Sequence, residues 1–84
     1  MDEPLTVEVF PIETGRWIAV VEASAGPFST EATAPGEVHA EVRRCIREVL
    51  GEDLPFMLAD DLGRPWSVEG SAQQFARLVS SPGR

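Results

Sequence analysis

Cys45 and His39 are the only cysteine and the only histidine of this chain, and together they could supply a nucleophile and its general base. Both fall in one predicted helix. Their spacing of six residues places them about 120° apart around its axis, so their side chains cannot face each other on it. Cys45 lies in the apolar stripe of that helix and is predicted to be a small buried residue, and His39 is predicted to lie on the surface.

Acidic residues are the second group that could bind a metal ion or act in catalysis. Glu52-Asp53 and Asp60-Asp61 form the densest cluster, but the Asp-x-Asp-x-Asp-Gly pattern of a calcium-binding loop is absent. Glu8 and Glu22 fall on neighbouring predicted strands and could act as acid and base, yet no feature of the sequence marks either as buried. Gly-x-Ser-x-Gly, Gly-rich phosphate loops and Cys-x-x-Cys are also absent. We therefore predict no catalytic, metal-binding or cofactor-binding residues, and no enzymatic activity.

The charge of the chain narrows its possible partners. Fourteen acidic residues and seven arginines give a net charge of −7, which opposes binding to a nucleic-acid backbone and favours a basic protein partner. The alternative is that the acidity only keeps a small domain soluble. The single cysteine excludes an internal disulfide. Since no basic leader or membrane-length apolar run is present, we expect a cytoplasmic protein that does not bind membranes.

Alternating residues predict a β-hairpin at the start of the chain. The segment from Thr6 to Ile12 alternates between its two faces, and Pro11 within it predicts a sheet edge or a bulge because proline has no N–H for the ladder. Residues 13–16 form a predicted four-residue loop in which Gly15 can take a positive φ. The segment from Trp17 to Ser24 is the second predicted strand.

The second strand carries apolar residues on both faces, which predicts a central strand covered by a helix on one side. Ile18 and Val20 would leave an apolar patch on the other side, where a second protomer is expected. Trp17 and Trp66 are predicted to be core residues, but large aromatics with a polar N–H are also frequent in interfaces, so both are kept as candidate interface residues. We therefore predict a homodimer.

Further elements follow the hairpin. Phe28 to Ala32 is a predicted third strand, and Thr33 is a predicted N-cap for a helix from Ala34 to Leu50 that ends at Gly51. The apolar positions of this helix recur at helical spacing and form one stripe, which must pack on the sheet. The stripe consists of Val38, Val42, Cys45, Ile46, Val49 and Leu50.

The rest of the chain predicts one more strand and one more helix. Pro55 to Ala59 resembles a fourth, more buried strand, and residues 60–63 resemble a turn. The spacing of Ser71 and Gln74 is that of a capping box, which would open a short helix. Residues 80–84 are expected to be a disordered tail. We predict a single α+β domain over residues 1–84. It would contain a β-β-β-α unit at 5–51 and a strand and short C-terminal helix at 54–79, with a mainly antiparallel sheet of three or four strands on one main helix.

The segment from Thr6 to Gly51 resembles the HicB family of antitoxins. Gly15, Trp17 opening the second strand, Gly26 in the next turn and the run Thr30-Glu31-Ala32-Thr33 before the helix carry the resemblance. It implies a three-stranded sheet followed by a helix, in a partial ribonuclease H-like arrangement. It also implies a protein that occludes a small basic ribonuclease toxin and oligomerises through the sheet or the C-terminal segment.

The chain also departs from that family. Residues 54–84 are too few for the helix-turn-helix or ribbon-helix-helix segment with which many members bind DNA, so no nucleic-acid binding by this chain is expected. Our leading hypothesis is a HicB-like protein-binding domain, either an antitoxin or a solitary relative with another partner. A β-grasp-like structural or adaptor subunit is the alternative, and a small carboxylate-dependent hydrolase is a third hypothesis.

Overall fold

Four strands form one sheet in the computed structural model, which describes residues 4–13 and 15–79. The elements are β1 (Leu5–Glu13), β2 (Arg16–Glu22), β3 (Phe28–Ala32), a 3-10 turn (Pro35–Glu37), α1 (Val38–Leu50), β4 (Phe56–Ala59) and α2 (Val68–Val79). The strand order is β3-β2-β1-β4; β1 pairs antiparallel with β2 and parallel with β4, and β2 pairs antiparallel with β3. The predicted α+β architecture, with a mainly antiparallel sheet on one main helix, is confirmed.

The β1–β2 hairpin is tighter than the sequence predicts. Glu13 pairs with Arg16, so both belong to strands, and Gly15 has a φ of +78°. A register shift between Pro11 and Glu13 confirms the bulge that the missing proline N–H predicts. β2 ends at Glu22, two residues before the predicted end, and a turn follows in which the N–H of Gly26 donates to the carbonyl of Ala23 at 2.9 Å.

One face of the sheet forms the core together with α1 and Trp66. Alternate residues of β1, β2 and β3 point to this face, as the period of two predicts. Of α1, Val38, Val42 and Ile46 are buried. Val49 is 54% exposed and Cys45 is only partly buried, although both belong to the predicted stripe, so that part of the prediction is wrong. The buried core residues are Val7, Val9, Trp17, Ala19, Val21, Ala32, Val38, Val42, Ile46 and Trp66.

The start and the end of α1 differ in how they are stabilised. The helix begins with the 3-10 turn at Pro35, and no side chain caps it. The prediction that Thr33 caps the helix is therefore wrong. Its hydroxyl donates instead to the Glu37 carboxylate at 3.1 Å. Gly51 ends the helix as predicted, with a φ of +77° and its N–H bonded to the carbonyl of Arg47 at 3.0 Å.

β4 is an edge strand, and the prediction of a more buried strand is wrong. Met57 is 59% exposed, and Phe56 and Leu58 are only partly buried against the core. The chain then folds back beside β4. The N–H of Trp66 donates to the carbonyl of Leu58 at 2.9 Å, and the N–H of Asp60 to that of Arg64 at 2.7 Å. These bonds pair part of the outer edge of β4.

The second helix begins earlier than predicted. α2 starts at Val68, and the hydroxyl of Ser67 accepts a bond from the N–H of Gly70 at 3.0 Å, which is the N-cap geometry. Ser71 is buried inside the helix and donates to the carbonyl of Val68 at 2.6 Å, so the capping box predicted there is wrong. The expected tail at 80–84 lies outside the described residues. In the described part of the chain, neither helix has the length and apolarity that crossing a bilayer requires.

Candidate functional site

Two of the four candidate interface residues lie in the core of the described chain. Trp17 is 5% exposed and Trp66 is 9% exposed. Their rings meet edge to face, with centroids 5.9 Å apart and an interplanar angle of 67°. This contact fixes the segment that leads into α2 against the inner face of β2, so the two tryptophans hold the domain together.

Gln74 on α2 connects this aromatic pair to β1. Its amide oxygen accepts from the indole Nε1–H of Trp66 at 3.0 Å, and its amide nitrogen donates to the carbonyl of Val9 at 2.7 Å. The same nitrogen lies 3.1 Å from an Asp61 carboxylate oxygen. Since β4 pairs with β1 only from Leu5 to Glu8, Gln74 satisfies a β1 carbonyl just beyond the end of that pairing. The sequence does not reveal this residue's role, because its partners are distant in the chain.

The Asp60 carboxylate organises the turn after β4. It accepts from the backbone N–H groups of Leu62 and Arg64, both at 2.9 Å, and from the Arg64 guanidinium at 3.3 Å. Burial raises the pKa of Asp60, but the two backbone bonds and the Arg64 charge outweigh it and hold the pKa below its ordinary value. The carboxylate is thus already engaged in forming the turn.

The described residues contain no cluster of three or more potential metal ligands. In the acidic group considered from the sequence, Asp53 lies 3.4 Å from the Arg47 guanidinium. Asp60 is engaged within its own turn as described above. The carboxylates therefore do not converge on one point in this part of the structure.

Cys45 and His39 point to different parts of the sheet. The Cys45 thiol lies 4.0 Å from the carbonyl of Ser29 on β3, at one edge of the sheet. The His39 ring packs on Phe56 of β4, at the other edge, with centroids 4.8 Å apart. The two side chains therefore cannot act together as a nucleophile and base.

We expect Cys45 to react slowly with a thiol reagent in the native protein. Burial raises the pKa of its thiol, the nearby Arg44 lowers it, and the neighbouring acids Glu48 and Glu41 raise it again, with a net rise. The reactive thiolate is therefore scarce at neutral pH. Stopped-flow modification with a disulfide reagent tests this, and the denatured chain provides the rate of the accessible thiol. If the Cys45 thiol of the native protein were modified as fast as that of the denatured chain, the expectation of a slowly reacting thiol would be contradicted.

The face of the sheet opposite the helices, which we call the open face, bears the side chains of Thr6, Glu8, Phe10, Arg16, Ile18, Val20, Glu22, Ser29, Glu31, Met57 and Ala59. α1 packs on β2 and β3, and α2 contacts β1 and the 3-10 turn that precedes α1, so both helices lie on the other side. Among the described residues, no helix or loop packs over the centre of the open face.

The centre of the open face is apolar. Phe10 pairs directly with Ile18, and Val20 follows on the same strand; all three are half-buried by one another and by their neighbours. Met57 on β4 extends the apolar area and is 59% exposed. The structure therefore places Ile18 and Val20 where the sequence predicts an apolar patch.

Carboxylates lie at both ends of the open face, and among the described residues an ion pair is present at one end. Glu31 on β3 is paired with the Arg16 guanidinium. At the opposite end, Glu22 is exposed and Glu8 is half-buried, each diagonal to the other on β2 and β1. The open face thus combines an apolar centre with an excess of negative charge near Glu8 and Glu22.

Comparison of this chain with protein-family models, with curated proteins and with solved structures finds no match in any of the three.

Proposed function

We propose that this chain is a non-enzymatic, HicB-like protein-binding domain that takes a small basic protein on its open face. The single observation that carries the proposal is the open face itself, whose apolar centre is uncovered, and whose Glu8 and Glu22 have no ion-pair partner, within residues 4–13 and 15–79 as described. An apolar patch with a charged rim is the usual composition of a protein-binding surface. The net charge of −7 supports a basic partner, because opposite charges speed encounter and disfavour acidic competitors.

The fold supports the HicB-like part of the proposal. A three-stranded antiparallel meander followed by one main helix is the arrangement that the resemblance implies. In the β-grasp-like alternative the helix would follow the hairpin directly, whereas here β3 intervenes between β2 and α1. In the antitoxin reading the partner is a small basic ribonuclease in the cytoplasm, and in the solitary reading it is another basic protein. In both readings the partner binds to the open face.

The position of the charges predicts how the partner is oriented. Its apolar residues should contact Phe10, Ile18 and Val20, while its basic side chains lie over Glu8 and Glu22 rather than over the compensated Glu31. Duplex DNA presents phosphates rather than apolar and basic side chains. An acidic protein surface also gains no affinity for DNA from counterion release.

Binding to the purified partner tests the proposal. The tagged chain is used to capture the partner from the native host, and a short basic protein encoded beside this chain is the first to try. We expect Glu22→Arg to weaken binding about tenfold at low salt, and the difference from wild type to shrink as salt rises, since screening removes the charge contribution. Glu52→Arg is the matched control, because Glu52 is exposed in the loop after α1 and the change in net charge is identical.

Three results would contradict the proposal. The first is a captured partner that is acidic or a small molecule. The second is equal weakening by Glu22→Arg and Glu52→Arg, which would show that only net charge matters. The third is tight, sequence-specific binding of duplex DNA by this chain in a gel-shift experiment.

A further inference from the structure

A groove lies between the first half of α1 and the segment that leads into β4, and we call it the α1–β4 groove. Its volume is about 380 Å³. Leu54 and Phe56 form its floor, where they pack against the core and remain partly exposed. Because the floor rests on the core, the groove is already formed in the free chain. Small molecules usually bind in preformed concave sites with an apolar lining and a few polar groups.

The wall of the groove carries positive charge, although the protein is acidic. His39 and Arg43 are one helical turn apart on α1, so their side chains lie side by side along the groove. Four other arginines with described side chains each pair with a carboxylate: Arg16, Arg44, Arg47 and Arg64. In the described part of the chain, no carboxylate forms an ion pair with Arg43. Its guanidinium is therefore available to an anion.

Asp53 limits the charge of the anion that the groove can take. It lines the same groove, and its carboxylate would repel an anion there. Its carboxylate lies 3.4 Å from the Arg47 guanidinium, which compensates part of this charge. A singly charged anion paired with Arg43 therefore fits the groove. A doubly charged phosphate would be opposed by Asp53 and by the net charge of −7.

We propose that the α1–β4 groove binds a small monocarboxylate that carries an aromatic ring. The planar Arg43 guanidinium can donate two parallel N–H bonds to the carboxylate. The ring of the ligand would extend the aromatic contact between His39 and Phe56, whose ring centroids are 4.8 Å apart. An open groove covers only one side of such a ligand, so the expected Kd is about 1–10 mM.

The groove and the open face are separate surfaces. α1 and the inward-facing Phe56 lie on one side of the sheet, whereas Ile18 lies on the open face. Binding in the groove therefore does not depend on the proposed basic partner. A ligand with a millimolar Kd also dissociates during washing, so a capture experiment recovers only the tighter partner of the open face.

An NMR titration with sodium phenylacetate, at constant pH and ionic strength, tests the proposal. His39 is the only histidine, so its imidazole proton signals report the groove directly. We expect these signals to shift while the methyl signal of Ile18 on the open face stays unchanged. Acetate lacks the ring and phenylacetamide lacks the charge, so each should bind roughly fivefold more weakly or less.

Two arginine variants separate the groove from net charge. Arg43→Gln should weaken phenylacetate binding about fivefold, because it removes the partner of the carboxylate. Arg44→Gln is the matched control, since Arg44 is exposed on the same helix and already pairs with Glu41 and Glu48. It should change the Kd by less than about twofold. Far-UV circular dichroism checks that both variants fold.

Four results would overturn the proposal. The first is the absence of a His39 shift at phenylacetate concentrations well above the expected Kd. The second is equal binding of phenylacetate and phenylacetamide, which would show that the carboxylate is not recognised. The third is equal weakening by Arg43→Gln and Arg44→Gln. The fourth is a shift of the Ile18 methyl signal as large as that of His39, which would place the ligand elsewhere.

Discussion

Replacing Trp66 with alanine should lower the free energy of unfolding by about 3–5 kcal/mol. Trp66 is 9% exposed and fills the space between Trp17 and α2, so its removal leaves a cavity in a small core. The substitution also removes the indole N–H, which leaves the buried amide oxygen of Gln74 without this donor. A chain of 84 residues has a total stability of roughly 4–13 kcal/mol, so this loss is a large part of it.

Trp66→Phe is a smaller change at the same position. Phenylalanine keeps an aromatic ring but removes the indole N–H and part of the ring volume, so we expect a smaller loss of about 1–3 kcal/mol. Urea denaturation followed by far-UV circular dichroism measures both variants without depending on tryptophan fluorescence. If Trp66→Ala were as stable as wild type, Trp66 would not be the core residue that the structure shows.

Ile46→Ala should cost about 2–4 kcal/mol, through lost burial and the cavity left behind. Ile46 is 1% exposed at the centre of the stripe that α1 packs on the sheet. Arg43 lies on the solvent side of the same helix and is exposed, so Arg43→Ala is the matched control and should change stability by less than about 0.5 kcal/mol. Chemical denaturation of both variants gives the comparison. A larger loss for Arg43→Ala than for Ile46→Ala would show that the buried stripe is assigned to the wrong side of α1.

The inner face of the sheet could be predicted because short-range sequence patterns indicate both the strands that form this face and the helix that covers it. Alternation in β1 and β2 places Val7, Val9 and Val21 on one face, and the helical spacing of Val42 and Ile46 supplies the surface that covers it. These patterns depend only on the geometry of strands and helices. The bounds of β3 are likewise as predicted, since a glycine–proline turn precedes it.

The structure of the C-terminal third of the chain could not be predicted as well as the inner face, because it depends on contacts with residues that are far away in the sequence. Two serines, Ser67 and Ser71, have similar capping potential, and the local sequence does not choose between them. The helix that Ser67 caps carries Gln74, whose side-chain amide donates to the carbonyl of Val9, 65 residues away in the chain. No local pattern indicates that bond. For the same reason the sequence did not show that Trp66 is buried against Trp17.

The candidate site was predicted in part. Ile18 and Val20 lie on the open face as expected, since alternation fixes which side of the strand they occupy. Glu8 and Glu22 were considered from the sequence as an acid and a base. The structure gives their position as one end of an apolar surface, which only the pairing of β1 with β2 reveals.

The most direct test of the open face as the protein-binding surface is a methyl NMR titration with the purified basic partner. The chain has three isoleucines, so an isoleucine-labelled sample gives a simple spectrum in which Ile18 reports the open face and Ile46 the core. The account predicts that the Ile18 methyl signal shifts or broadens as partner is added, while that of Ile46 stays nearly unchanged. A partner that binds at the same concentrations and leaves the Ile18 signal unperturbed would contradict it.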